Sequence, residues 1–201
     1  MTAEPISKVE QPTVPAWLIP PTEGFTAEEF LKMDGLPPHT ELIDGSLVFM
    51  SAQRSFHSLA VDLLVAGLRR TAPDDLLVRR EMSVVLGRRQ CPEPDVCVIR
   101  AEAETSDRQT SYQAADVLLA IEVVSPESEI RDRERKPQLY AKAGIVHFWR
   151  VERGADGLPV VYPFELDPAT GAYAPGAITH ERLKLSVPFD IDIDFVDIKR
   201  L

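Results

Sequence analysis

Residues Val117 to Val124 read Val-Leu-Leu-Ala-Ile-Glu-Val-Val, an apolar run interrupted once, by Glu122. A stretch this short, β-branched and apolar at both alternating sets of positions, predicts a strand covered on both faces. Glu122 is therefore expected in the interior. A lone ionised carboxylate there is heavily penalised, so the group must be protonated, paired with a cation, or bound to a metal. Whatever fold the chain adopts has to supply that partner.

A second acid lies upstream, in Pro92-Glu93-Pro94-Asp95-Val96-Cys97-Val98-Ile99, where two prolines stop any earlier pairing and another apolar strand begins. Asp95 stands at the start of that strand and Glu122 near the end of its own. If the two strands are antiparallel neighbours, the carboxylates converge. Two carboxylates at close range raise each other's proton affinity unless a cation shares them, and hard oxygen donors of this kind suit Mg²⁺ or Mn²⁺.

At 201 residues with 44% hydrophobic residues the chain fits one domain with a sizeable core. It has no run of eighteen apolar residues, and Met1 to Pro21 is polar and proline-rich without a signal-peptide-like stretch, so the expected location is cytoplasmic, with no membrane partner. Cys91 and Cys97 lack the spacing of a zinc knuckle or redox pair and read as reduced thiols. The net charge of −10 argues against a nucleic-acid partner, but its distribution softens this. Residues 1–50 carry 8 acids and 2 bases, and residues 151–201 carry 9 and 5, whereas residues 51–150 have 15 of each. Within that middle, Arg69-Arg70, Arg79-Arg80, Arg88-Arg89 and the cluster Arg131, Arg133, Arg135, Lys136 form either local positive patches or ordinary solvated faces.

Residues 1–22, with five prolines, read as a flexible arm, followed by a single domain over 23–201. Thr26 with Glu29 matches a capping box, flanked by Phe25 and Phe30 as a hydrophobic staple, and predicts a short helix to about Met33. Glu41 to Met50 reads as a hairpin turning at Asp44-Gly45. Ser55 to Arg70 has helical apolar spacing. Strands are expected at Leu76–Leu86, Val96–Ile99 and Val117–Val124, with a polar loop over Arg100–Ala115. A helix should start near Lys136-Pro137 and end at Gly144, followed by strands Val146–Val151 and Val160–Leu166 and one half-exposed strand over Leu183–Phe195.

In this order the elements resemble the PD-(D/E)XK nuclease superfamily and, more closely, the bacterial restriction-endonuclease-like family often called Uma-type. The matching pieces are Glu41-Leu42-Ile43-Asp44-Gly45, Met50-Ser51 followed by His57, Pro94-Asp95-Val96, Glu122-Val123-Val124-Ser125-Pro126, Asp132 with Lys136 and Tyr140, and Ala143-Gly144-Ile145 leading to Phe148-Trp149. They span roughly residues 23–195. The resemblance implies an α+β fold with a restriction-endonuclease-like core: a central mixed β-sheet flanked by helices, with additional antiparallel strands. It implies a metal-dependent endonuclease acting on DNA, with Asp95, Glu122 and the main-chain carbonyl of Val123 holding Mg²⁺ or Mn²⁺. Many such nucleases carry a lysine two residues after the glutamate, where this chain has Val124. Lys136 is the substitute from the next helix, unless it is an exposed lysine in a basic turn. Asp132 and Tyr140 lie four residues to either side of it, on one helix face if the helix extends that far back; Pro137 instead favours Lys136 at the helix start.

Glu41 resembles the acid that the family brings to the metal from its N-terminal region, though it would also suit an exposed strand. His57, at a helix start, could touch a phosphate or donate a proton, or be an ordinary half-buried histidine. Asp44 reads as turn chemistry, and Tyr140 and Trp149 as core aromatics. No helix carries an Arg, Asn and Gln face suited to reading base edges. A homodimer would suit two-strand cleavage. The competing reading is a nuclease fold kept as a non-catalytic module that binds nucleic acid or a protein.

Overall fold

The structure is a computed structural model that describes residues 15–201. Residues 1–14 of the expected arm lie outside the described residues. The chain enters through a 3-10 turn, Ala16–Leu18, and Trp17 packs edge-on against Phe49 with ring centroids 5.5 Å apart.

Thr26 accepts from the Glu29 amide, and the Glu29 carboxylate accepts from the Thr26 amide, so the capping box forms as expected. The helix it starts, α1 (Ala27–Phe30), is only one turn long. It stops short of Met33 because a single turn seldom propagates without burial, and only Ala27 and Phe30 are covered. The hairpin follows as β1 (Glu41–Ile43) and β2 (Ser46–Val48), with Asp44 and Gly45 at φ 54° and 79°, the positive values that a two-residue turn demands. Helix α2 covers Ser55–Thr71.

The next strands are β3 (Leu76–Arg80), β4 (Ser83–Val85), β5 (Val96–Arg100), β6 (Ser111–Gln113) and β7 (Val117–Val123). A π-helical turn (Arg131–Arg135) then leads into α3 (Lys136–Lys142), and β8 (His147–Arg153), β9 (Pro159–Asp167), β10 (Ala172–Pro175), β11 (Arg182–Leu185) and β12 (Ile191–Asp194) complete the fold.

Six strands form the central sheet, in the order β10-β9-β8-β7-β5-β3. Only β7 and β8 run parallel, and a parallel pair needs a crossover, which is the segment containing α3. Side chains alternate across the sheet. Val96, Val98, Leu119, Ile121 and Val123 meet α2 and the β11-β12 hairpin, while Cys97, Ala120 and Phe148 meet Tyr140 of α3. The expected α+β class with a central mixed sheet and additional antiparallel strands is the one observed. Both cysteines are buried and unpaired.

Three expectations need correction. Leu76–Leu86 is not one strand: Glu81, at φ 53°, ends β3, and β4 leaves the main sheet to pair in parallel with β6. That pairing also puts a strand inside the stretch expected to be a loop, Arg100–Ala115. The tail over Leu183–Phe195 is a hairpin, because Pro188 has no N–H to give a ladder and the chain reverses around it.

Gly67 on α2 faces this hairpin. A Cβ there would lie 2.6 Å from the Ile193 side chain, so the missing methyl sets how closely α2 approaches β12. Gly67→Ala should destabilise the protein by about 1–3 kcal/mol despite alanine's better helix propensity, because the overlap outweighs it. Urea denaturation tests this, and a gain in stability would contradict it.

Candidate active site

Alternation along β7 sends Leu119, Ile121 and Val123 toward α2 and leaves Glu122 on the side of α3. Strands β5 and β7 are antiparallel neighbours, with Val96 opposite Ile121 and Cys97 opposite Ala120. One further step of that register puts Asp95 opposite Glu122, as the sequence led us to expect. Asp95 also ties the two strand ends together. Its Oδ2 accepts the Val123 amide at 2.6 Å, and its Oδ1 lies 3.0 Å from Nε2 of His57 in the first turn of α2. His57 is largely buried, and this contact orients Asp95.

Glu41 arrives from the first hairpin. The neighbouring Leu42 exchanges backbone hydrogen bonds with Cys91, and the Glu93 amide donates to Glu41 Oε1 at 2.9 Å. Asp44 at the hairpin turn accepts from Arg135, tying the turn to the segment before α3. That pair is too exposed to contribute much stability, so it guides the hairpin and backbone pairing holds it.

The α-helix bearing Lys136 starts at Lys136, as Pro137 suggested, but a π-helical turn carries helical geometry further back. Pro137 cannot donate, and its ring would meet the carbonyl four residues back in a regular α-helix. The preceding turn widens to a π pattern, with the Lys136 amide donating to the Arg131 carbonyl five residues back. Asp132, Lys136 and Tyr140 consequently share one face. Of the two readings of Lys136, substitute for the strand lysine or exposed lysine in a basic turn with Arg131, Arg133 and Arg135, the second is excluded, because Lys136 is 1% exposed.

These elements bring Glu41, Glu122, Asp132, Lys136 and Tyr140 together in the interior. Lys136 Nζ lies 2.8 Å from Glu41 Oε1, 2.9 Å from Glu122 Oε2 and 3.4 Å from Asp132 Oδ1. The Tyr140 hydroxyl donates to Glu122 Oε1 at 2.5 Å. Glu41 Oε2 and Asp132 Oδ1 are buried without a hydrogen-bond partner.

Counting Asp95, four carboxylates face one ammonium. Burial pushes the Glu122 carboxyl well above the usual range, Lys136 pulls it back, and the other three acids push it up again. Burial likewise raises Asp132. It works against the Lys136 ammonium, but the surrounding carboxylates prevail and hold its pKa well above normal. Burial and Glu122 keep the Tyr140 hydroxyl protonated. The cluster thus has a deficit of positive charge that protons or a further cation would fill.

Three of the five expected catalytic residues, Glu41, Glu122 and Lys136, are in direct contact, and Asp95 and His57 adjoin them through the end of β7, where the Val123 amide donates to Asp95. Tyr140, expected as a core aromatic, is also a donor to Glu122. Asp132 was missed as a member of the site, although its spacing four residues before Lys136 was the signal for it. Trp149 is a core residue, as expected.

Residues 27–192 match the model of a family described as "Uma2: Putative restriction endonuclease". The chain belongs to the Uma2 family. A solved structure described as a putative nuclease belonging to DUF820, from Anabaena variabilis ATCC 29413, shares the fold with a TM-score of 0.66. It is 15% identical, over 87% of this chain and 97% of that one. No curated relative matches. Among the described residues of this Uma2 protein, no helix is long and apolar enough to cross a membrane.

The raised carboxyls fix the sign of one pH effect. A folded state that binds protons more tightly than the unfolded chain has its stabilisation in full below the ordinary carboxylate pKa and loses it as pH rises through the folded pKa. In EDTA, the stability of Glu122→Gln relative to wild type should therefore increase steadily from about pH 5 upward, since the ordinary carboxylate pKa is about 4.3. Urea melts across pH read this, and a flat or falling difference would contradict it.

Proposed function

We propose that the protein is a divalent-metal-dependent endonuclease that hydrolyses DNA phosphodiester bonds at this cluster. What carries the reading is the surplus of buried carboxylate around one lysine, at the converging ends of β5 and β7. A fold needs no such surplus, because replacing buried charges with apolar residues is often neutral or stabilising.

The donor set fits a hard divalent cation. All donors are oxygens, and Glu41 Oε2 is a buried acceptor with no partner. Among the described residues no three His, Cys, Asp or Glu side chains gather to enclose an ion by themselves. Mg²⁺ and Mn²⁺ are commonly held through one or two carboxylates with water and substrate phosphate completing the shell. Asp95, Glu122 and the Val123 carbonyl would hold the ion, with Glu41 beside them. Bound there, it would polarise the phosphoryl oxygen and lower the pKa of the attacking water.

The chain's own residues do the rest. Lys136, kept protonated by its acids, places a positive charge where negative charge builds on the phosphate. The Tyr140 hydroxyl holds Glu122 in position, and His57 does the same for Asp95. A non-catalytic, nucleic-acid- or protein-binding module is the second reading, and one observation favours it: both Glu122 oxygens are already engaged by Lys136 and Tyr140.

The test is supercoiled plasmid and single-stranded DNA incubated with Mg²⁺, Mn²⁺ or EDTA, beside Asp95→Ala. Metal-dependent nicking that vanishes in the variant is expected. A folded protein that cuts neither DNA would move the assignment to the binding module.

A further inference from the structure

A cleft of about 240 Å³ opens directly over the end of β7, with His57 and Ser125 among its lining residues. One wall is the first turn of α2, where Arg54 stands at the N-cap without a side-chain cap and no acid occupies the first turn. Phe56 and Arg153 line the cleft together, the guanidinium carbon lying 5.9 Å from the ring centroid. Among the described residues Arg153 has no carboxylate within ion-pair distance. Arg54 meets only Glu127, in an exposed pair that is easily exchanged. Arg133, Glu129 and Glu152 also line the cleft, and the two acids already neutralise this arginine.

An aromatic face, the unpaired Arg153 and the exchangeable Arg54, beside the end of β7, match what binds a single nucleic-acid strand: bases stack on the aromatic ring while cations follow the backbone. A duplex fits poorly. It carries one phosphate charge per about 1.7 Å of axis, and its binding depends on many Lys and Arg contacts. This chain has a net charge of −10. Arg153 and Arg54 do not offset that repulsion over a duplex footprint, whereas stacking is indifferent to it.

We infer that this cleft holds an unpaired nucleic-acid strand, with a base against Phe56 and a backbone phosphate at Arg153 and Arg54, so that the site prefers single-stranded DNA to duplex. The inference rests on the nuclease reading and narrows its substrate. The strand would run across the first turn of α2 and place the next phosphodiester at the Asp95 end of β7.

Fluorescence anisotropy tests it, with Ca²⁺ in place of Mg²⁺ to slow cleavage. The probes are a labelled single strand of about 12 nucleotides, within the range one such groove binds, and a hairpin duplex of the same sequence. Wild type should bind the single strand at least about tenfold more tightly than the duplex, and Phe56→Leu and Arg153→Gln should each weaken that binding roughly five- to tenfold. Leucine retains the packing of this half-buried position, and circular dichroism with thermal melting establishes that both variants fold. Equal or tighter binding of the duplex would overturn the inference while leaving the nuclease reading intact. Single-strand binding that neither variant weakens would place the strand elsewhere. No binding of either probe, together with no cleavage of plasmid or single strand, would overturn both readings.

Discussion

The Lys136 ammonium sits in the interior between Glu41, Glu122 and Asp132, which come from a hairpin, a central strand and a π-helical turn. Each acid alone would be a severe penalty at its position, and together they would repel. The lysine makes the arrangement tolerable, and much of the fold can be read as the means of delivering these groups. The β7-to-β8 crossover supplies α3, the β5–β7 register supplies Asp95, and backbone pairing with Cys91 supplies Glu41. The π turn is the local adjustment that lets Pro137 follow Lys136 while keeping Asp132 and Tyr140 on the same face as the lysine.

A lysine in this place and a divalent cation do related work, since each offsets the same carboxylates. That relation gives the cluster a reason to exist without a perfect ion pair. Four acids are too many for one lysine, and two of their oxygens remain without a hydrogen-bond partner. The surplus is what a purely structural account of Glu122 leaves unexplained. The cleft over His57 and Ser125 lies beside the end of the strand that carries Glu122, with a guanidinium and an aromatic ring among its lining.

Much of this was legible from residues alone, for definite reasons. A strand apolar on both faces has one strong physical reading, so Glu122 had to be buried, and the two prolines before Asp95 marked the strand start that the register later placed beside it. The capping box at Thr26 and the Asp44-Gly45 turn are local signals whose geometry depends on few neighbours. What failed depended on long-range pairing or on accommodation. Nothing near Glu81 announces that the next residues pair with Ser111–Gln113, which is a tertiary choice. Pro137 argued against a helix running back to Asp132, because the rule concerns regular α-helix and the chain widened one turn to π. Charge counting alone left Lys136 open as part of a basic surface run, whereas helical periodicity turns it away from its arginine neighbours and toward Glu122.

The central claim is that Lys136 serves as the internal counter-ion of the carboxylates that we propose hold a divalent cation. The most direct measurement is the unfolding free energy of Lys136→Met, by urea denaturation in EDTA and again in Mn²⁺. Removing one partner of a buried ionic cluster should cost about 3–5 kcal/mol in EDTA. Mn²⁺ should restore a large part of that loss, by binding the carboxylates that the lysine no longer satisfies. A variant as stable as wild type in EDTA, or one whose loss Mn²⁺ leaves untouched, would contradict the account.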